Sequence, residues 1–207
     1  MLVKVCGITT LDSAQAAANA SADFIGFVFA PSTRQIDPLK AKEIAETLPA
    51  SIKKVGVFVN ESIINIENIA RLVGLDYIQL HGDETTGFAN ELSLPIIKAL
   101  NVNNSLISNL HHFPADYFII DSPGKKFRGG SGEVFDWNQL TDLNIDLSKV
   151  FLAGGLNEKN VKSAIETVRP IGVDVSSGVE TNGKKDISKI KQFLKQAKER
   201  TNKNDNI

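Results

Sequence analysis

Residues 150–179 read VFLAGGLNEKNVKSAIETVRPIGVDVSSGV. An apolar run, Val150 to Ala153, ends in Gly154-Gly155; an amphipathic stretch, Asn157 to Val168, follows; a second, largely apolar run, Ile171 to Val175, ends in Ser176-Ser177-Gly178. Apolar runs of this length are too short for helices and suit strands buried on both faces, so a helical segment between two of them makes a parallel βαβ unit. The same alternation recurs along the chain. Strands are predicted over Leu2 to Cys6, Phe24 to Phe29, Lys54 to Val59, Tyr77 to Leu80, Ile96 to Leu100 and Tyr117 to Ile120. Helices are predicted over Leu11 to Ala20, Leu39 to Leu48, Ile63 to Val73, Thr85 to Leu92, Val102 to His111 and Ile187 to Lys198. Asp37-Pro38 supplies a cap and a first-turn proline for the second of these. Only Phe135 to Leu140 reads as helical after the sixth strand. Eight strand–helix units in 207 residues predict an α/β fold, a single (β/α)8 TIM barrel domain over 1–207 with a polar tail from about residue 200. An open doubly wound sheet is the competing architecture. The barrel is preferred because no strand carries a dinucleotide glycine fingerprint and the polar residues sit at many different strand ends.

Composition narrows the function. Charges nearly cancel, 23 Lys plus Arg against 24 Asp plus Glu, so no global field favours nucleic acid or a membrane surface, and any anion site is local. One cysteine excludes an internal disulfide framework, and no Cys/His spacing matches a zinc site, so no metal is expected. The N-terminus enters a strand directly and no apolar stretch is long enough to span a bilayer. The expectation is a soluble cytoplasmic protein, monomer or homodimer, acting on a small molecule.

Chemistry concentrates at the predicted strand ends. Cys6 closes the first strand and is followed by Gly7. A free cysteine most often packs as a small hydrophobe, but a thiol at a strand end before glycine can face a ligand, and a barrel gathers all strand ends on one face. Lys4 lies two residues earlier on the same face, where its ammonium either favours a thiolate or pairs with a carboxylate inside the barrel. Asp121 ends the sixth strand as either a turn cap or a general acid; burial of a carboxyl there favours its proton-donating form. Asp174 ends the eighth strand, next to the first in a closed barrel. Arg34, after the second strand, can fork onto a substrate carboxylate or stand in solvent. His81 lies at the end of the fourth strand, whereas His111 and His112 suit a helix end at the surface. Gly154, Gly155, Ser176, Ser177 and Gly178 follow strands seven and eight, where barrels often present backbone N–H groups to a phosphate; the plainer reading is tight turns. Gly124 to Gly132, with four glycines and three basic residues, is either a lid over the same face or a surface loop.

Together these segments resemble the phosphoribosylanthranilate isomerases of tryptophan biosynthesis over nearly the whole chain. The carriers are Lys4 to Thr9, Ser32 to Arg34, Gln79 to Gly82, Asp121, Gly129 to Gly132 with Phe135 to Trp137, Leu152 to Leu156, and Asp174 to Glu180. Thr33 stands where the family often has proline and Ser131 where it often has threonine. The resemblance implies a cofactor-free Amadori rearrangement of N-(5-phosphoribosyl)anthranilate to 1-(2-carboxyphenylamino)-1-deoxyribulose 5-phosphate. It implies Asp121 as general acid, Cys6 as general base, Arg34 on the anthranilate carboxylate, Asp174 and His81 beside the substrate, and the two glycine loops on the phosphate. The alternatives are a related aminoaldose isomerase and a barrel that binds a phosphorylated ligand without turnover. The first is disfavoured because that family's aspartates at strands one and five are here Cys6 and Lys98-Ala99-Leu100, with no half-chain repeat.

Overall fold

Residues of each strand alternate between two apolar surroundings, and this alternation closes the sheet around a filled centre. The computed structural model describes residues 1–101, 107, 110, 112–121, 137, 140 and 145–199. Its strands are β1 Leu2–Cys6, β2 Phe24–Val28, β3 Lys53–Phe58, β4 Tyr77–Leu80, β5 Ile96–Asn101, β6 Tyr117–Asp121, β7 Val150–Leu152 and β8 Gly172–Val175. They form a closed barrel in chain order with every neighbouring pair parallel, β8 returning to β1. The described helices are α1 Leu11–Asn19, α2 Pro38–Ala45, α3 Ile63–Val73, α4 Thr86–Asn90, α5 Val161–Val168 and α6 Ile187–Lys198. This is the expected (β/α)8 barrel, with strand limits within about a residue of those read from the apolar runs.

The barrel interior is floored by residues from strand beginnings. Phe24, Phe151, Tyr77 and Tyr117 meet edge-on or tilted, with centroids 5.4 Å apart for Phe24–Phe151 and 5.3 Å for Tyr117–Phe151. Val55, Ile97, Ala99, Ile119 and Ala153 complete this cluster, so the centre is a packed core rather than a pore. The opposite strand faces, such as Val3, Val5, Ile25, Ile78 and Leu80, pack against the helices. Among the described residues the interior charged side chains, Lys4, Asp174 and Asp121, lie further along their strands than this aromatic floor.

Local signals place the helices. Thr10, Asp37, Ser62, Thr85 and Asp186 each accept a backbone N–H from the turn they cap. Two boundaries differ from the sequence reading. After Ala45 the chain tightens, Thr47 and Leu48 donating to Ile44 and Ala45, so α2 ends before Leu48. Asn157 does not start α5: its backbone N–H donates to the Asn160 side chain, its side-chain amide reaches back to the Gly155 carbonyl and its side-chain oxygen accepts from Lys159, so the chain makes a turn before Val161. Residues 102–106, 108–109, 111, 122–136, 138–139, 141–144 and 200–207, which include most of the predicted helix Val102 to His111, Gly124 to Gly132, Phe135-Asp136 and the predicted polar tail, lie outside the described residues; Ile107, Leu110 and Leu140 are described and buried. Among the described residues no helix is long and apolar enough to cross a membrane.

One charged pair is buried in the outer layer. Lys98 alternates with Ile97 and Ala99 of the interior cluster and so points outward from β5. Its Nζ lies 2.7 Å from Glu84 and 2.8 Å from the Gly82 carbonyl, and 5.6 Å from the Phe113 ring centroid. Glu84 also accepts from the Asn60 and Gly82 N–H groups, at 2.8 and 2.9 Å, which binds the loops after β3 and β4 together. Removing one member of such a pair strands the other charge. Glu84→Ala should lower the unfolding free energy by about 3–5 kcal/mol in urea titrations; a loss below about 1 kcal/mol would contradict this account.

Candidate active site

Cys6 ends β1 with its thiol buried, 7% exposed, on the same strand face as Lys4. Gly26 of β2 is its register partner. A Cβ on Gly26 would stand 2.9 Å from Cys6 Sγ and 3.2 Å from Lys4 Nζ, so the absent side chain is the space in which thiol and ammonium lie close together. Lys4 is wholly buried and donates to Asp174 Oδ1 at 3.0 Å across the β1–β8 seam. Burial pushes the Lys4 ammonium down, but Asp174 and Cys6 outweigh it and hold the pKa above the usual lysine value. The two options read for Lys4 are therefore combined: a carboxylate partner and a thiol neighbour.

A second charged group stands over this one. The loop after β2 lays Arg34 across Gly7, whose φ is +76° and whose missing Cβ would meet Arg34 Cδ at 2.7 Å. The guanidinium forks onto Glu180, Nε at 2.7 Å and Nη2 at 2.9 Å. Glu180 belongs to a small antiparallel hairpin after the barrel, β9 Glu180–Thr181 and β10 Lys184–Lys185, turned by Asn182 and Gly183 with φ of 52° and 74°. Lys185, also buried, donates to Glu180 at 2.6 Å and to the Ser176 carbonyl and hydroxyl at 2.9 and 3.2 Å. Ser176 Oγ donates to the Cys6 carbonyl at 3.2 Å. Burial pushes Glu180 up, but Arg34 and Lys185 prevail and leave it below the usual carboxylate range; Arg34 is raised by the Glu180 hydrogen bond. Burial lowers Lys185 despite Glu180.

The remaining predicted residues occupy the same rim. Asp121 ends β6, buried, on the interior face it shares with Tyr117 and Ile119. Only β7 and β8 separate β6 from β1 around the ring, and those two strands lead into the glycine loops. Gly154 and Gly155 have φ of 84° and 63°, and the Gly155 carbonyl is held by the Asn160 and Asn157 amides at 2.9 and 3.3 Å. Because a trans peptide sets C=O and N–H on opposite sides, the Leu156 N–H is turned away from those amides. Gly178, in the 3₁₀ turn Ser177–Val179, packs so closely on this loop that a Cβ would collide with the Leu156 carbonyl. His81 follows β4, half-buried, its backbone N–H on the Phe58 carbonyl at 2.9 Å. Cys6, Lys4, Asp174, Arg34 and Ser176 thus form one connected group, with Asp121, His81 and the glycine loops on neighbouring strand ends. Among the described residues no cluster of His, Cys, Asp or Glu suits a metal ion. Sequence reasoning missed Lys185 and the use of Glu180. The Asn182-Gly183 hairpin signal was the available clue.

A closed parallel barrel with a thiol, carboxyls and glycine loops gathered at its strand ends is the layout of a (β/α)8-barrel enzyme. The family model described as N-(5'phosphoribosyl)anthranilate (PRA) isomerase matches residues 3–196, and the chain belongs to that family. It is 53% identical over 195 residues to the N-(5'-phosphoribosyl)anthranilate isomerase of Oceanobacillus iheyensis, covering 94% of this chain and 95% of that one. The Bacillus cereus enzyme of the same name is 51% identical over 199 residues, covering 95% and 98%. Among solved structures, phosphoribosyl anthranilate isomerase from Thermotoga maritima superposes with a TM-score of 0.84 at 40% identity, covering 96% and 99%. A second isomerase structure, in complex with reduced 1-(o-carboxyphenylamino)-1-deoxyribulose 5-phosphate, gives 0.80 at 38%, covering 96% and 98%.

Two outcomes follow from the geometry. Gly178→Ala, whose Cβ meets backbone, should cost about 1–3 kcal/mol of stability by urea unfolding. Glu180, depressed on folding, contributes stability that is complete above the unfolded carboxyl value of 4.5 and lost as pH falls through its lower folded value. Between about pH 6 and about pH 3 the wild-type unfolding free energy should therefore drop more steeply than that of Glu180→Gln, as followed by urea titrations across the range.

Proposed function

We propose that the chain converts N-(5'-phosphoribosyl)anthranilate to 1-(2-carboxyphenylamino)-1-deoxyribulose 5-phosphate, with Asp121 as general acid and Cys6 as general base. The supporting observation is the placement of the buried Cys6 thiol beside the Lys4 ammonium, with Asp121 three strands further round the same rim and the glycine loops of the two intervening strands between them. Asp121 donates its proton to the furanose ring oxygen, and the C1–O bond breaks to leave an iminium at C1. Cys6, as thiolate, takes the C2 proton while the electron pair moves toward the iminium nitrogen. The resulting enolamine gains a proton at C1 and loses the C2 hydroxyl proton, giving the ketone. Electrons stay within the substrate, so no cofactor enters this scheme. The Lys4 ammonium stabilises the thiolate before proton transfer.

The phosphate is assigned to the Gly154-Gly155 loop and Ser176 to Gly178, and the anthranilate carboxylate to Arg34. Glu180 takes two of the five guanidinium donors, so the carboxylate is assigned to the remaining Nη1–Nη2 edge, which still offers two donors side by side. Asp174 and His81 flank the substrate. Holding both ends fixes C2 against Cys6, and such positioning contributes up to about 7–11 kcal/mol in favourable cases. A cytoplasmic monomer or homodimer fits this role; one Thermotoga maritima relative is described as dimeric.

The test follows loss of phosphoribosylanthranilate with purified variants. Cys6→Ala and Asp121→Asn should each lower kcat by about 10²–10⁴-fold, the usual contribution of a positioned acid or base. Full activity in either removes that residue from its role. Arg34→Ala should act mainly through KM.

A further inference from the structure

Arg34, Glu180 and Lys185 form a row of alternating charges with a net charge of one positive, and the last two are nearly sealed from solvent at 7% and 3% side-chain exposure. Burying two charges is costly unless their hydrogen bonds are met, and here they are: Glu180 accepts from Arg34 and Lys185, and Lys185 spans Glu180 and Ser176. One ammonium therefore touches both the carboxylate that aims Arg34 and the residue that opens the loop after β8. Ser176 in turn donates to the Cys6 carbonyl. The Asn182-Gly183 turn makes this possible by folding Lys185 back opposite Glu180.

We propose that Glu180 is a positioning residue that orients Arg34 toward the substrate carboxylate, and that Lys185 locks this arrangement to the phosphate loop, so that one hydrogen-bonded unit sets the distance between the two anchored ends. This rests on the reading of Arg34 as the carboxylate contact and of Ser176 to Gly178 as phosphate contacts. Without Glu180 the guanidinium keeps its charge but is released from its fork, so the carboxylate is still attracted while the reacting carbons lose alignment. Without Lys185 the row carries no net charge and Ser176 loses its donor, so both anions are held more weakly.

Steady-state kinetics on the full chain separates these effects. Glu180→Gln should lower kcat by about tenfold or more with KM within about threefold, the pattern of lost alignment rather than lost attraction. Glu180→Asp, which keeps the charge but withdraws it from Arg34, should show the same split and serves if the glutamine variant does not fold. Lys185→Met should raise KM and the inhibition constant of inorganic phosphate by about tenfold, and Lys185→Arg should restore most of both. A general loss of folding stability would not produce opposite kcat and KM patterns or rescue by arginine. Unchanged kinetics in the Glu180 variants, or a KM rise at constant kcat, overturns the proposal. If Arg34→Ala leaves KM unchanged, the underlying assignment fails instead.

Discussion

The barrel is closed by a contact that is also part of its site. Lys4 and Asp174 are register partners where β1 meets β8, and their charged ends lie 3.0 Å apart inside the barrel. An unpaired ammonium there would cost several kcal/mol, so the pair discriminates against any register that separates its members. A slip of one residue would turn Lys4 and Cys6 to the outer face, among the helices. Closure, the burial of Lys4 and the inward aim of Cys6 therefore stand or fall together. Gly26 completes the arrangement by leaving room for Sγ and Nζ on the neighbouring strand.

Around this contact the molecule separates its apolar and polar work by height. Aromatic and branched side chains fill the strand beginnings, while interior charges gather at strand ends. The charges there are tied in groups: Lys4 with Asp174, and Arg34 with Glu180 and Lys185. Lys98 with Glu84 does the same for the loops beside His81 from outside the barrel wall. Each network joins segments far apart in sequence, so the rim is held by hydrogen bonds rather than by loop packing alone. Glycines serve where a side chain would obstruct, at Gly7 under the Arg34 side chain and at Gly178 against the Leu156 backbone.

Membership of the phosphoribosylanthranilate isomerase family specifies the reaction, and the geometry supplies its logic. Asp121 and Cys6 stand on strands separated by the two that carry the glycine loops, the spacing on which the proposed acid and base roles rest. Arg34 shows how the fold modifies a simple expectation: its Nε and Nη2 donors are engaged by Glu180 within the protein, and the remaining Nη donors are left to face outward contacts.

The strands, most helices and the polar residues at the strand ends were legible because they depend on local patterns: short apolar runs, caps such as Asp37-Pro38, and polar residues where a run stops. Cys6, Asp121, Arg34, Asp174 and the glycine pairs could be found this way, since a parallel barrel brings every strand end to one face. Partners could not. Glu180 is 146 residues from Arg34 and Asp174 is 170 from Lys4, and Glu84 and Lys98 belong to different units whose approach depends on barrel twist. Sequence by itself thus determined the order of elements and which groups reach the mouth, because periodicity and turn chemistry act over a few residues. Only the tertiary structure decided which charges meet, which fork is taken and which glycine makes room, because those follow from register and closure, set by the whole ring at once.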